Sequence, residues 1–150
     1  MQITILTAQA ADYDSIITLL KHVNLLTDDI LAAGTRYWVA KTDTGEVAAC
    51  MGMEFGEDAA LIRSLAVYEA YQGERLALRL IENALDEAKA AGFQHVYCFS
   101  TRAADYFQRV GFRPVPVAQL VEALPNVPQV VRFGKIGKLA GERAFHKALG

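Results

Sequence analysis

Cysteine, histidine and clustered basic residues are scarce in this chain, and each scarcity removes a class of chemistry. There are two cysteines, Cys50 and Cys98, both inside apolar runs. They read as two buried thiols rather than a disulfide. The three histidines, His22, His95 and His146, lie far apart with no zinc-like spacing, so no metal is expected. The net charge is −2 and there is no basic run, which argues against nucleic acid as a partner. No apolar segment approaches the ~20 residues needed to cross a bilayer, so no membrane partner is expected. The chain enters Gln2-Ile3-Thr4-Ile5-Leu6 without the layout of a signal peptide, and a cytoplasmic location is the expectation.

What is present is a core. Hydrophobic residues make up 53% of 150 and charged residues 21%, which predicts one compact domain over residues 1–150. The organising stretch is 60–91. Residues 60–67 are apolar and strand-like, interrupted only by Arg63 and Ser64. Residues 68–77 form a turn carrying Gly73. Residues 78–91 continue a helix with an apolar stripe at 76, 77, 80, 81, 84, 85 and 88. A strand-turn-helix unit leaves backbone N–H groups free at the helix start, where the macrodipole favours anions.

The other elements follow in order. Residues 3–7 read as a strand and 12–23 as an amphipathic helix. Thr27-Asp28-Asp29 supplies an N-cap and two first-turn acids for a short helix ending near Gly34. Strands over 37–41, 46–55 and 59–67, joined by turns at 43–45 and 56–58, predict an antiparallel meander. Gly92 ends the central helix. A strand over 95–99, a helix over 101–110 closed by Gly111, and a strand over 112–115 come next. Pro114 places that strand at an edge or a bulge. Residues 117–124 read as a helix and 143–149 as a final strand. The stretch 126–141 carries no readable pattern.

The central stretch resembles the acyl-CoA-binding motif of the GNAT N-acetyltransferases. There a strand reading Leu-x-Val precedes Gln/Arg-x-x-Gly-x-Gly/Ala and a helix. Leu65 and Val67 match the strand, and Gln72 and Ala77 match the turn; Arg75 stands where the family has its central glycine. The run from Ala103 to Phe112 resembles a second motif, Ala-x-x-x-Tyr-x-x-x-Gly-Phe. Phe107 occupies the tyrosine position and Tyr106 is its neighbour, about 100° away around a helix. The run Leu61-Ile62-Arg63-Ser64-Leu65-Ala66-Val67 is similar to one in acetyltransferases associated with arsenic resistance. The run Ser100-Thr101-Arg102-Ala103-Ala104-Asp105 is similar to N-acetylglutamate synthase.

The resemblance implies an α/β (α+β) fold with a mixed, mostly antiparallel sheet splayed at its centre and flanked by helices. It implies an acetyl-CoA-dependent N-acetyltransferase that needs no metal and acts on the amine of a small, amino-acid-like acceptor. A homodimer is compatible with it. The implied cofactor residues are Leu65, Ala66 and Val67 along the strand, then Gln72, Gly73, Glu74, Arg75, Leu76 and Ala77 at the pyrophosphate, with Ser100 and Phe107. The implied catalytic candidates are Tyr106 as acid and Glu54 as base, with Glu57 a second acidic candidate.

Each residue also has a plainer reading. Tyr106 suits half-buried packing, and Glu54 and Glu57 suit strand ends. Arg79 suits either a phosphate or an i, i+3 pair with Glu82. Arg63 sits in an apolar run and needs an anionic partner, because an unpaired buried guanidinium costs several kcal/mol. Either Glu54 or an acceptor carboxylate or phosphonate meets that need. Two other activities fit the same residues. One is a non-catalytic acyl-CoA-binding or regulatory module, suggested by Arg75 and Phe107. The other is a protein N-acetyltransferase, for which Asp28 and Asp29 would suit a cationic peptide.

Overall fold

The computed structural model of the chain describes residues 2–150. Its strands are β1 (Ile3–Thr7), β2 (Thr35–Thr42), β3 (Val47–Phe55), β4 (Ala59–Val67), β5 (His95–Phe99), β6 (Arg113–Val115) and β7 (Ala144–Ala148). Its helices are α1 (Tyr13–His22), α2 (Leu76–Ala90), α3 (Ala104–Arg109), α4 (Val117–Ala123) and α5 (Pro128–Lys135). The strands form one sheet in the order β1-β2-β3-β4-β5-β7-β6. β1 and β2 pair antiparallel, β4 and β5 parallel, and β7 runs antiparallel to both β5 and β6. This is the mixed, mostly antiparallel sheet with flanking helices that the sequence led us to expect. Among the described residues no helix is long and apolar enough to cross a membrane.

The chain divides into two compact units, Met1–Met53 with Ser64–Asp86, and Glu54–Arg63 with Glu87–Gly150. In the first, the apolar period of α1 buries Ile16, Leu19 and Leu20 completely, against Ile30, Tyr37, Val39, Cys50 and Ala66. Each such side chain contributes about 1.5–3 kcal/mol through burial. The β2–β3 hairpin closes through Thr42 N donating to Glu46 O (2.9 Å) and Gly45 N to Thr42 O (3.0 Å). β3 is buried from Ala48 to Glu54, as a central strand with both faces covered must be.

One expectation fails in this unit. Residues 27–34 form turns and not a helix. Asp29 sits at φ +65° and Asn24 at φ +62°, left-handed backbone that cannot continue a right-handed helix. The N-cap signal was present, but no apolar period followed it.

In the second unit, Ala59, Leu61, Tyr97, Leu120, Leu124, Val127, Val130 and Ala144 make a separate core. The unreadable stretch contains α5, which begins at Pro128. A first-turn proline gives up an N–H that no intrahelical acceptor would take. Pro114 lies on β6, the outermost strand, as the edge placement required. Gly92, at φ +93°, ends α2. Cys50 and Cys98 are free and buried. Burial pushes the Cys50 thiol up to about 12 and raises that of Cys98 as well.

Asp12 anchors the entrance to α1. Its Oδ2 accepts the Gln9 N–H at 2.8 Å and its Oδ1 meets Lys41 Nζ at 2.7 Å. Burial alone would raise this carboxyl. The Gln9 amide and the Lys41 ammonium outweigh it and hold the pKa below 3.8. A carboxyl depressed in the fold adds stability that is present at neutral pH and is lost as pH falls through its folded value. Urea unfolding should therefore show wild-type stability declining between about pH 5 and about pH 3, and Asp12→Asn declining less. Parallel pH profiles for the two proteins would show that Asp12 contributes no pH-dependent stability.

Candidate functional site

In the first unit the site residues run from the second half of β4 into α2. Ser64 has φ +59°, left-handed backbone inside a strand, and this is the bulge signature. Tyr37 OH and Ser64 Oγ share a hydrogen bond at 2.8 Å, and Cys50 Sγ donates to Ser64 O at 3.4 Å. Beyond the bulge Leu65 and Val67 are half-buried and Ala66 is buried.

A 3₁₀ turn over Glu69–Glu74 follows, with Gln72, Gly73 and Glu74 exposed. Its Glu69 carboxylate meets His22 Nε2 at 3.1 Å and 3.2 Å, tying the end of α1 to the start of the turn. Arg75 then takes φ +57°, ψ +31°. The arginine keeps the left-handed backbone that a glycine would adopt at no cost. Its carbonyl accepts the Arg79 N–H at 3.1 Å, so α2 begins at Leu76. The amides of Leu76, Ala77 and Leu78 precede the first intrahelical bond and stay free of the helix ladder. Leu76 is buried and Ala77 half-buried. Arg79 Nη2 donates to the β1 carbonyl of Ile3 at 2.7 Å, a partner the sequence did not point to.

In the second unit the first half of β4 pairs with β5 from Ala59↔His95 to Ile62↔Cys98. The ladder spans those four residues, while β4 itself extends to Val67. Arg63 Nη1 meets Glu54 Oε2 at 2.8 Å, with the two side chains 2% and 0% exposed. Glu54 Oε1 accepts the Gln129 N–H at 2.9 Å. Arg63 therefore has the protein carboxylate as a partner, the plainer of its two readings. Ser100 Oγ accepts the Ala103 N–H at 3.0 Å, just ahead of α3. Phe107 is buried against Phe112, ring centroids 5.4 Å apart. Tyr106 is half-buried, with the Arg109 guanidinium 5.7 Å from its ring centroid.

Sequence reasoning missed two long-range pairs. One is Tyr37 with Ser64. The other is His95 Nδ1 with His146 Nε2 at 2.9 Å, across β5 and β7. Burial, His95 and Arg113 lower the His146 pKa. Among the described residues no group of three or more His, Cys, Asp or Glu is placed to hold a metal ion.

Solved structures share this fold, among them the following three. A GNAT-family acetyltransferase from Staphylococcus aureus Mu50 is 15% identical, with TM-score 0.79, covering 99% of this chain and 100% of that one. N-acetylglutamate synthase from Neisseria gonorrhoeae, complexed with coenzyme A and N-acetyl-glutamate, is 18% identical with TM-score 0.81. That match covers 100% of this chain and 36% of the synthase. The ribosomal-protein-S18-alanine N-acetyltransferase from Escherichia coli is 19% identical with TM-score 0.67, covering 76% of this chain and 79% of that one. The model of the acetyltransferase (GNAT) domain matches residues 33–114, more than half of the sequence, and the chain belongs to that family.

Proposed function

We propose that the protein, acting as one domain over residues 1–150, moves an acetyl group from acetyl-CoA to the amine of a small, amino-acid-like acceptor. The observation that carries this reading is Arg75. It holds a glycine's backbone between a 3₁₀ turn and the free amides of α2, at the position of the family's phosphate loop. Residue and backbone both suit a pyrophosphate. A helix start favours negative charge, and a cation placed there is relieved by an anionic ligand.

In this reading Gln72, Gly73, Glu74, Arg75, Leu76 and Ala77 hold the pyrophosphate. The backbone of Leu65, Ala66 and Val67 takes the pantetheine arm and polarises the thioester carbonyl. The family resemblance also implies Ser100 and Phe107 as cofactor residues. The cofactor supplies an activated acetyl thioester. Tyr106 carries the phenolic proton that the departing thiolate needs, a role suited to a half-buried hydroxyl. Glu54 is the less suited base, because Arg63 and the Gln129 amide engage its two oxygens. The similarity to N-acetylglutamate synthase supports an amino-acid acceptor, and the similarity to the S18-alanine enzyme supports a protein one. Coenzyme A release measured with free amino acids, and separately with peptides bearing lysine or alanine N-termini, decides between them. Turnover with peptides alone would overturn the small-acceptor reading.

Two predictions follow from these placements. Arg75→Glu should weaken acetyl-CoA binding in calorimetry by about 1–3 kcal/mol, the range for a contact to a charged group. Arg75→Gly should bind more weakly than wild type while losing no stability, since it relieves left-handed strain of about 1–2 kcal/mol. Wild-type affinity in Arg75→Glu would make this arginine a surface residue. The second concerns the buried pair. Arg63→Ala should destabilise the protein by about 3–5 kcal/mol by leaving the Glu54 charge uncompensated, and Arg63→Leu with Glu54→Leu should recover most of the loss. A stable Arg63→Ala protein whose acceptor KM rises while acetyl-CoA binding is intact would instead return Arg63 to acceptor recognition.

A further inference from the structure

The ring of Tyr37 is 1% exposed and sits deep in the core of the first unit. A buried phenol needs a partner for its hydroxyl. The partner here is Ser64 Oγ, at 2.8 Å. Room for the ring comes from Gly52: a Cβ there would lie 2.5 Å from Tyr37 Cζ and 2.7–2.8 Å from its two neighbouring ring carbons. Tyr13 also packs against the ring, edge-on at 71° with centroids 5.9 Å apart. The ring is therefore fixed in place, and so is its hydroxyl.

What that hydroxyl grips is a strained residue. Ser64 adopts φ +59°, left-handed backbone that is unfavourable for a non-glycine residue. Glycine would adopt it freely, so the serine needs another reason to be there. Its side chain supplies one, because Oγ is the atom that meets Tyr37. The carbonyl of the same residue is held by Cys50 Sγ at 3.4 Å. The Cys50 thiol has its pKa raised to about 12 by burial, so it keeps its proton as a donor. Side chain and main chain of Ser64 are thus held by two core residues, from β2 and β3.

We infer that Tyr37 is a positioning residue for the acyl donor: through Ser64 it sets the orientation of the backbone at Leu65, Ala66 and Val67. The inference rests on the reading that this backbone holds the pantetheine arm. Nothing in it requires Tyr37 to touch a ligand. A one-residue change in the bulge would turn the following side chains to the opposite face and the following amides to the opposite edge, since strand residues alternate with a period of two. The Tyr37 hydroxyl fixes which way they turn.

The test is acetyl-CoA affinity and steady-state kinetics for Tyr37→Phe, Ser64→Gly and the double variant. Each single variant should bind acetyl-CoA about three- to tenfold more weakly, the equivalent of one neutral hydrogen bond. The double variant should be no weaker than the weaker single, because both remove the same contact. KM for the acceptor at saturating acetyl-CoA should not move. Ser64→Gly also covers the case in which Tyr37→Phe does not fold, because it removes the hydrogen bond while easing the backbone. A merely structural serine predicts the opposite for that variant, affinity equal to wild type with stability equal or higher, and that result would overturn the inference. So would Tyr37→Phe binding as wild type with only its melting temperature lowered, or additive losses in the double variant. Wild-type protein that binds no acetyl-CoA at all would fail at an earlier step, sinking the functional reading and this inference with it.

Discussion

A β-strand can keep its alternation only while every residue stays in the extended region, and Ser64 leaves it. Strict period two over 61–67 would put Leu61, Arg63, Leu65 and Val67 on one face. The observed burial is different: Ala59 to Arg63 are all buried, Ser64 and Leu65 are half-buried, and Ala66 is buried again. One strand consequently serves two separate cores. Ala59 and Leu61 belong to the core of the second unit, and Ala66 to that of the first. The four-residue ladder with β5 falls wholly in the portion before the break. The portion after it is the stretch that resembles an acyl-CoA-binding strand.

Arg63, just before the break, can sit in an apolar run because its charge is met. A guanidinium 2% exposed is tolerable only with its charge met and its hydrogen bonds made. Glu54 meets it, and is itself steadied by the Gln129 amide at the start of α5. Removing either ion alone would strand the other, which is why such a pair is costly to break even where it adds little net stability.

The sequence made the element order legible because periodicity and caps are local. The apolar stripe of α2, the glycine after it, and the edge proline of β6 could all be read within a few residues. The need of Arg63 for an anion was also legible, and Glu54 was one of the two candidates. What could not be read is what depends on backbone sign or on strand register. The Thr27-Asp28-Asp29 signal suggests a helix, and one left-handed aspartate cancels it. Pro128 looks like a breaker when no helix is in view, and like a first-turn residue once α5 is known. Tyr37 and Ser64 are 27 positions apart and His95 and His146 are 51 apart. No local pattern announces either meeting, because register is fixed by the whole ladder.

Ser64 and Arg75 are both left-handed without being glycine, and they bracket the segment between the β4 bulge and α2. Each costs about 1–2 kcal/mol in a protein whose total stability is of order 5–15 kcal/mol. Strain of that size persists only where the surroundings over-determine it. For Ser64 the surroundings are visible, in the buried phenol and the buried thiol. For Arg75 the only hold described is its carbonyl, which starts α2. The two residues therefore differ in kind. Ser64 is strained by a core that forms when the chain folds. Arg75 is a cation at the start of a helix, in a conformation glycine would take more readily, and its own fold gives little return for that. An anion at the free amides of α2 would supply the return, because it meets the helix dipole and the guanidinium together. That asymmetry, more than the match of any one motif letter, makes the turn before α2 the place to look for a phosphate.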